Sequence, residues 1–296
     1  MLMPVLVQVA AEIVTTTHQP FVLKAHHAIG GGCINQAYQL EGSGRRYFVK
    51  LNAAAKADMF AAEFAGLQVL QQAAAIRVPK PICQGIIGDQ AYLVLEYIAL
   101  ECGNAQGLSR LGQQLAELHR HTQPKFGWIR DNTIGETPQL NQLHDNWVDF
   151  WAHQRLHFQL ERAAQKGYRG DWQRQGEQLL VELGAFFAHY QPVASLLHGD
   201  LWSGNYAIDI QGQPVVFDPA VYYGDREADI AMTELFGGFG DSFYQAYQEY
   251  YSLDVGYSVR KDLYNLYHLL NHLNLFGGSY QAQVSDLIRR LLSEIR

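Results

Sequence analysis

The stretch Leu197-His198-Gly199-Asp200-Leu201-Trp202-Ser203-Gly204-Asn205, followed by Val215-Val216-Phe217-Asp218-Pro219, organises the reading of the whole chain. Ser195 to His198 reads as a short strand that runs into a polar loop. Beyond Asn205, Tyr206 to Asp209 and Pro214 to Phe217 read as the arms of a hairpin that turns at Gln211-Gly212 and returns Asp218 beside Asn205. Two carboxylates and a carboxamide are thereby expected together. Mg²⁺ prefers hard oxygen ligands, and transfer of a phosphoryl group needs that metal together with one free carboxylate to hold the attacking hydroxyl. Asn205 and Asp218 suit the ligand role, and Asp200 suits the free carboxylate. Taken singly, His-Gly-Asp is an ordinary turn and Asp218 an ordinary strand-end residue.

The upstream half argues against that plainer reading. His198-Gly199-Asp200, with Asn205 five residues past the Asp, repeats the spacing of the protein-kinase catalytic loop. Asp218 stands where kinases keep the Asp of Asp-Phe-Gly, although the tripeptide here is Asp-Pro-Ala. Gly30-Gly31-Gly32-Cys33-Ile34-Asn35 lies between a strand-like run, Phe21 to Ala28, and the alternating segment Gln36 to Leu40. Glycines allow backbone N–H groups close to phosphate oxygens, while a glycine-rich hairpin turn is the alternative reading of the same residues. After Glu41-Gly42-Ser43-Gly44, the strand Arg45 to Leu51 carries Lys50 inside a hydrophobic run, where a kinase keeps the Lys that meets the α and β phosphates. A cation in an apolar setting needs an acid. The helical pattern from Asp58 to Ala75, with Phe60, Phe64, Leu67 and Leu70 on one face, offers Glu63. Two more strands, Ile82 to Ile87 and Ala91 to Tyr97, join through Gly88-Asp89. The pattern breaks after Ile98, where a hinge would lie whose backbone binds adenine.

These motifs resemble the fructosamine kinase (ketosamine 3-kinase) family. The likeness rests on Gly30 to Ile34, the Lys50 strand, the run Leu197 to Asn205, Gly224-Asp225-Arg226-Glu227-Ala228-Asp229-Ile230-Ala231-Met232-Thr233 and Leu235-Phe236-Gly237-Gly238-Phe239. Ile134 to Gln139 ahead of Trp147, Phe150 and Trp151 extends it over nearly the whole chain. Aminoglycoside, choline and homoserine phosphotransferases share the His-Asp-Asn-Asp skeleton but usually not the wording His-Gly-Asp-Leu-Trp-Ser-Gly-Asn. The resemblance implies Asp200 as proton acceptor, Asn205 and Asp218 as Mg²⁺ ligands, and Glu96, Tyr97 and Ile98 as the adenine hinge. It also implies that ATP phosphorylates the 3-hydroxyl of a ketosamine on a free amine or a protein lysine, after which the product sheds its amine. Fructosamine, ribulosamine and erythrulosamine all remain open as the sugar. An aminoglycoside- or choline-type kinase, and a nucleotide-binding regulator without turnover, are the alternatives; against the latter, Lys50, Glu63, Asp200, Asn205 and Asp218 are all present.

The expected architecture is a bilobal, protein-kinase-like α+β fold. It comprises a nucleotide-binding antiparallel sheet lobe over 1–97 with one main helix, a hinge over 98–107, and a mostly helical catalytic lobe over 108–296. The chain has 296 residues, 48% of them hydrophobic, enough for a full core. A net charge of −7 argues against nucleic acid as the natural partner and suits an amine-bearing substrate, though mild acidity is common. Met1 to Val14 is apolar but lacks a leading basic residue and is interrupted by Glu12, so it does not read as a signal peptide, and no run is long enough to span a membrane. Cys33, Cys83 and Cys102, odd in number and far apart, fit a reducing cytoplasm.

Helical spacing covers Leu108 to Arg120, Asn146 to Lys166, Trp172 to Tyr190, Glu227 to Phe236, Asp241 to Tyr251, Arg260 to Phe276 and Gln281 to Ile295. The irregular stretch Pro124 to Leu143 is a candidate wall of the sugar-amine pocket. His153 with His157, and His268 with His272, have helical metal-pair spacing but no third ligand, and read as packing residues. Asp229 and His198 read as braces of the catalytic loop. Trp202 reads equally as a sugar-stacking ring or a packing residue. Cys33, among backbone donors in the glycine loop, is either a redox thiol able to link two protomers of an otherwise monomeric chain or simply a small residue suited to the loop.

Overall fold

In the computed structural model, residues 2–30, 34–101 and 103–295 are described. The predicted phosphate-loop glycines Gly31 and Gly32, and the candidate redox residue Cys33, lie outside them. In chain order the elements are α1 (Leu2–Thr17), β1 (Leu23–Ile29), β2 (Gln36–Gly42), β3 (Arg45–Ala53), α2 (Ala57–Ala73), β4 (Pro81–Ile87), β5 (Gln90–Glu96), β6 (Leu100–Glu101) and α3 (Ala105–Leu118). They continue as β7 (Asn132–Ile134), β8 (Thr137–Gln139), α4 (Trp147–Trp151), α5 (Phe158–Gln165), α6 (Asp171–Glu182), β9 (Ser195–Leu197), β10 (Tyr206–Asp209) and β11 (Pro214–Val216). The last are β12 (Tyr222–Gly224), α7 (Glu227–Leu235), α8 (Asp241–Tyr250), α9 (Tyr257–Phe276) and α10 (Gln281–Glu294).

Two compact units result, 1–103 with 207–219 and 104–206 with 220–296. The sequence reading assigns everything beyond 108 to one lobe, whereas the hairpin of β10 and β11 groups with the first unit. The physical reason is pairing: β10 runs antiparallel to β6, and Arg77 forms a parallel bridge with Val215 of β11.

The first unit is built on an antiparallel sheet of order β1-β2-β3-β5-β4. Side chains alternate across a strand, so Tyr47, Val49 and Leu51 of β3 share one face and Lys50 takes the other. On the first face, Leu6, Val9, Ala10 and Ile13 of α1 pack with Phe21, Leu40, Val49, Leu51, Tyr92 and Val94. Each fully buried Leu or Ile there contributes about 1.5–3 kcal/mol. The apolar N-terminal run is therefore a core helix, which the sequence reading did not identify. Against the sheet also lies α2, burying Phe60, Leu67 and Leu70. Cys83 is buried in the α1 side of the core, where burial pushes its thiol up to about 11, out of the reactive range.

The second unit is mainly helical. Here α3 packs on α8, α7 on α9, α9 on α10 and α10 on α6. The helix expected over Asn146 to Lys166 is not uniform: a π-helical segment, Ala152–His157, separates α4 from α5. The wider turn accompanies burial of Arg155, whose guanidinium lies over the rings of Phe150 and Tyr222 and donates to Leu140 O and Asn141 Oδ1. The stretch Pro124 to Leu143 folds into the β7–β8 hairpin, and its amides brace backbone. Asn132 Nδ2 donates to Val221 O, and Gln139 Nε2 donates to Ala220 O. No helix among the described residues is long and apolar enough to cross a membrane.

Candidate active site

In the first unit, Lys50 is the organising residue. Its strand position points it away from α1, and its buried Nζ donates to Glu63 Oε1 at 2.6 Å and to Asp218 Oδ1 at 2.7 Å. Burial alone would lower the Lys50 pKa, but the facing Asp218 and Glu63 charges override it and push the group well above its ordinary value. Glu63, in the second turn of α2, is shifted upward by burial against the opposing pull of Lys50. The buried ammonium is thereby compensated on two sides, as an apolar location requires. Asp218 itself sits at φ 57, a left-handed conformation that a non-glycine residue adopts at a cost. Its carboxylate is half exposed, so one oxygen faces Lys50 while the group keeps access to solvent.

The hinge residues lie in the same unit. Glu96 closes β5, and its carboxylate accepts Arg77 Nη2 and the Lys80 N–H, while its own N–H donates to Lys80 O. Its side chain is thus committed to structure. Arg46 lies over the Tyr97 ring at 4.6 Å. Arg77 also grips Asp209 of β10, a buried acid. Burial works to raise the Asp209 pKa, but the N–H groups of Gln213 and Gln211 and the Arg77 guanidinium hold it below the usual range. The Arg77–Asp209 contact ties the Asp218 hairpin to its unit, and the sequence reading passed over both residues. Their signal was a charge pair flanking apolar strand ends.

In the second unit, the loop after β9 carries Asp200 and Asn205. The Asn205 Nδ2 donates to Asp200 O at 2.8 Å and to Asp200 Oδ2 at 3.2 Å. This turns the amide nitrogen toward Asp200 and leaves Oδ1 as the oxygen available to a cation. Trp202 N–H donates to Asp200 O and Asn205 N–H donates to Trp202 O, which closes the loop into successive tight turns. Gly199 has φ +83, and a Cβ on it would lie 2.1 Å from Ala220 O, so this glycine is a steric requirement.

Asp229 braces this loop from α7. Its Oδ2 accepts the His198 N–H at 2.7 Å and its Oδ1 accepts the Gly199 N–H at 2.8 Å. Burial works against the charge, yet the hydrogen bond from His119, the nearby histidines and the Gly199 N–H hold Asp229 below the usual carboxylate range. His198 adds a second brace, its Nδ1 accepting the Asp200 N–H at 3.3 Å. His119, at the end of α3, was missed by the sequence reading. Fully buried, it contacts Asp229 Oδ2 through Nε2 and Tyr247 Oη through Nδ1. Arg226 donates to the same hydroxyl, so the directions resolve into one chain: Arg226 to Tyr247, Tyr247 to His119, His119 to Asp229. Beside it, Asp225 accepts from Tyr264 and Tyr190, and Arg260 forms a bidentate pair with Glu227. The detectable signal was the charged cluster Asp225-Arg226-Glu227 at the start of an otherwise buried helix.

The fructosamine kinase family model matches residues 5–294. The chain belongs to the fructosamine kinase family. A protein of Synechocystis assigned as a ketoamine kinase is 47% identical over 285 residues, covering 96% of each chain. The chloroplastic protein-ribulosamine 3-kinase of Arabidopsis thaliana is 40% identical over 265 residues, covering 88% of this chain and 80% of its own. Among solved structures, a chain from Haemophilus somnus assigned as a fructosamine-3-kinase superposes with a TM-score of 0.88 at 28% identity, covering 96% of each chain. This member of the fructosamine kinase family therefore has the protein-kinase-like α+β fold expected from its sequence, and it is an ATP-dependent kinase acting on a hydroxyl group.

Proposed function

We propose that the chain transfers the γ-phosphoryl group of ATP to the 3-hydroxyl of a ketosamine carried on a free amine or a protein lysine. Elimination then expels the phosphate from C3, and hydrolysis of the remaining C–N linkage by water releases the amine, so the reaction serves deglycation. The observation that carries this reading is the Asp200 loop: a carboxylate positioned by Asn205, two of whose neighbouring N–H groups are held by Asp229. In this role Asp200 accepts the proton of the attacking hydroxyl. Lys50, kept charged between Glu63 and Asp218, meets the α and β phosphates, Gly30 to Gly32 cover them, and the backbone of Glu96 to Ile98 takes adenine.

Mg²⁺ fits the donors present. Asn205 Oδ1 is directed away from Asp200, Asp218 retains a second carboxylate oxygen, and both are hard oxygen ligands. When bound, the metal would neutralise charge on the transferring phosphoryl group. Among sugars, the relative named a ribulosamine 3-kinase puts ribulosamine first to be tested. A cytoplasmic location suits such repair.

The test is ADP release by the purified protein with Mg²⁺-ATP and a panel of ribulosamine, erythrulosamine, fructosamine, an aminoglycoside and choline. Turnover on a ketosamine, with a phosphorylated product that sheds its amine, is expected. Turnover confined to the aminoglycoside or choline would move the substrate class while keeping the kinase.

A further inference from the structure

Two residues beyond Asp200, the ring of Trp202 begins a run of aromatic side chains that the packing of the second unit leaves partly open. Trp202 lies edge-on to Phe236 with centroids 6.5 Å apart, and Phe236 lies 4.8 Å from His272. His272 in turn lies 5.3 Å from both Phe276 and Tyr280. The run is contiguous from the catalytic loop to the end of α9. Trp202 is 38% exposed and Phe276 60% exposed, so these rings are not spent on the core. Trp202 is nonetheless seated firmly: its ring lies where a Cβ on Gly204 would stand, 2.3 Å away.

We infer that this strip of Trp202, Phe236, His272, Phe276 and Tyr280 is the subsite for the amine carrier of the ketosamine, meaning the cationic nitrogen and the alkyl chain or lysine side chain beyond it. The inference rests on the substrate reading given under Proposed function. Three features select that occupant. The ring faces attract an ammonium and cover methylenes. Both Phe236 and Phe276 stand at helix C-termini, those of α7 and α9, where unsatisfied carbonyls favour a positive charge.

The third feature is the tautomer of His272. Its Nδ1 faces the His268 carbonyl at 2.8 Å, and a carbonyl only accepts, so Nδ1 carries the hydrogen. Nε2 is then a lone-pair acceptor for the N–H of an ammonium, and burial, which lowers the His272 pKa, keeps the ring in that neutral form.

The 3-hydroxyl would meet Asp200 and the amine is attached two carbons further along the sugar, so on this inference the carrier runs toward Trp202, two residues beyond Asp200. On this inference a long carrier extends along the strip toward Phe276, and a methyl group leaves that end of it empty.

The experiment compares kcat and KM for one ketose joined to methylamine, to hexylamine and to the Nε of a lysine in a short peptide, using the wild-type protein, Phe276→Ala and Phe276→Tyr. Wild type is expected to favour the hexylamine and lysine carriers over methylamine through KM. Phe276→Ala is expected to reduce that preference about 5- to 20-fold, as lost apolar contact predicts, with a smaller change in kcat. Phe276→Tyr should restore it. Thermal melting of each variant controls for folding. Equal KM changes for all three carriers, or none, would overturn the subsite while leaving the ketosamine reading intact. Failure of the wild type to turn over any of the three would instead remove the substrate reading, and the subsite with it.

Discussion

At the scale of single residues, Asp200 and Asp218 are both acids, yet their surroundings give them separable tasks. Asp200 is held by Asn205, whereas Asp218 is one of two acids that compensate Lys50. Replacing Asp200 with Ala is therefore expected to cut kcat by about 10²- to 10⁴-fold, the range for a lost general base, with ATP binding largely retained. Turnover at the wild-type rate would take Asp200 out of that role. Asp218→Ala should raise the Mg²⁺ concentration needed for half-maximal activity and weaken nucleotide binding as well, because it deletes the metal ligand proposed above and removes one of the two acids facing Lys50. A Mg²⁺ titration that superposes on the wild type would contradict it. Lys50, Asp200, Asn205 and Asp218 stood out in the sequence because each is a polar residue at a fixed offset within or beside an apolar run. His119 did not, since a lone polar residue on a helix face carries no sign of what it will meet more than a hundred positions away.

At the scale of elements, the catalytic loop depends on α7, and α3 depends on close contact with α8. Gly112 makes that contact possible: a Cβ there would come 2.3 Å from Phe243 O, which is backbone and cannot swing aside. Gly112→Ala should separate the two helices and destabilise the protein by about 1–3 kcal/mol, the usual cost of overpacking. Chemical denaturation would read this as a lower midpoint, and an unchanged midpoint would show that the helices shift freely. Because α3 also carries His119, the same variant should lower kcat through the brace on Asp229. Strands and helices were legible in outline from periodicity, as β3 and α9 show. The π-helical segment at Ala152–His157 was not, because its register answers to where buried Arg155 finds partners in distant chain segments.

At the scale of the whole molecule, buried ionisable groups set the response to pH. Burial pushes His268 down to about 3 and also lowers His119, while both would titrate near 6.5 in the unfolded chain. Below about pH 6.5 the unfolded chain binds protons that the native protein refuses, so these two sites lose stability as pH falls through that window. Glu227, pushed up to about 7 by burial, acts in the opposite direction between its native and unfolded values. The contribution of one histidine is isolated by comparing melting temperature against pH for the wild type and His268→Gln. The wild-type curve should fall more steeply on the acid side, and parallel curves would refute the assignment. The sequence by itself determined the α+β class, the family, the Lys50–Glu63 pairing and the Asp200 to Asn205 loop, because each depends on short-range periodicity or on residues at fixed spacing. Only the tertiary structure decided that α1 is a core helix, that the Asp218 hairpin groups with the first unit through Arg77 and Asp209, and that His119 stands behind Asp229. Those outcomes depend on which buried charges and apolar faces find partners across long chain separations, and a buried group must be matched wherever the fold happens to bring its complement.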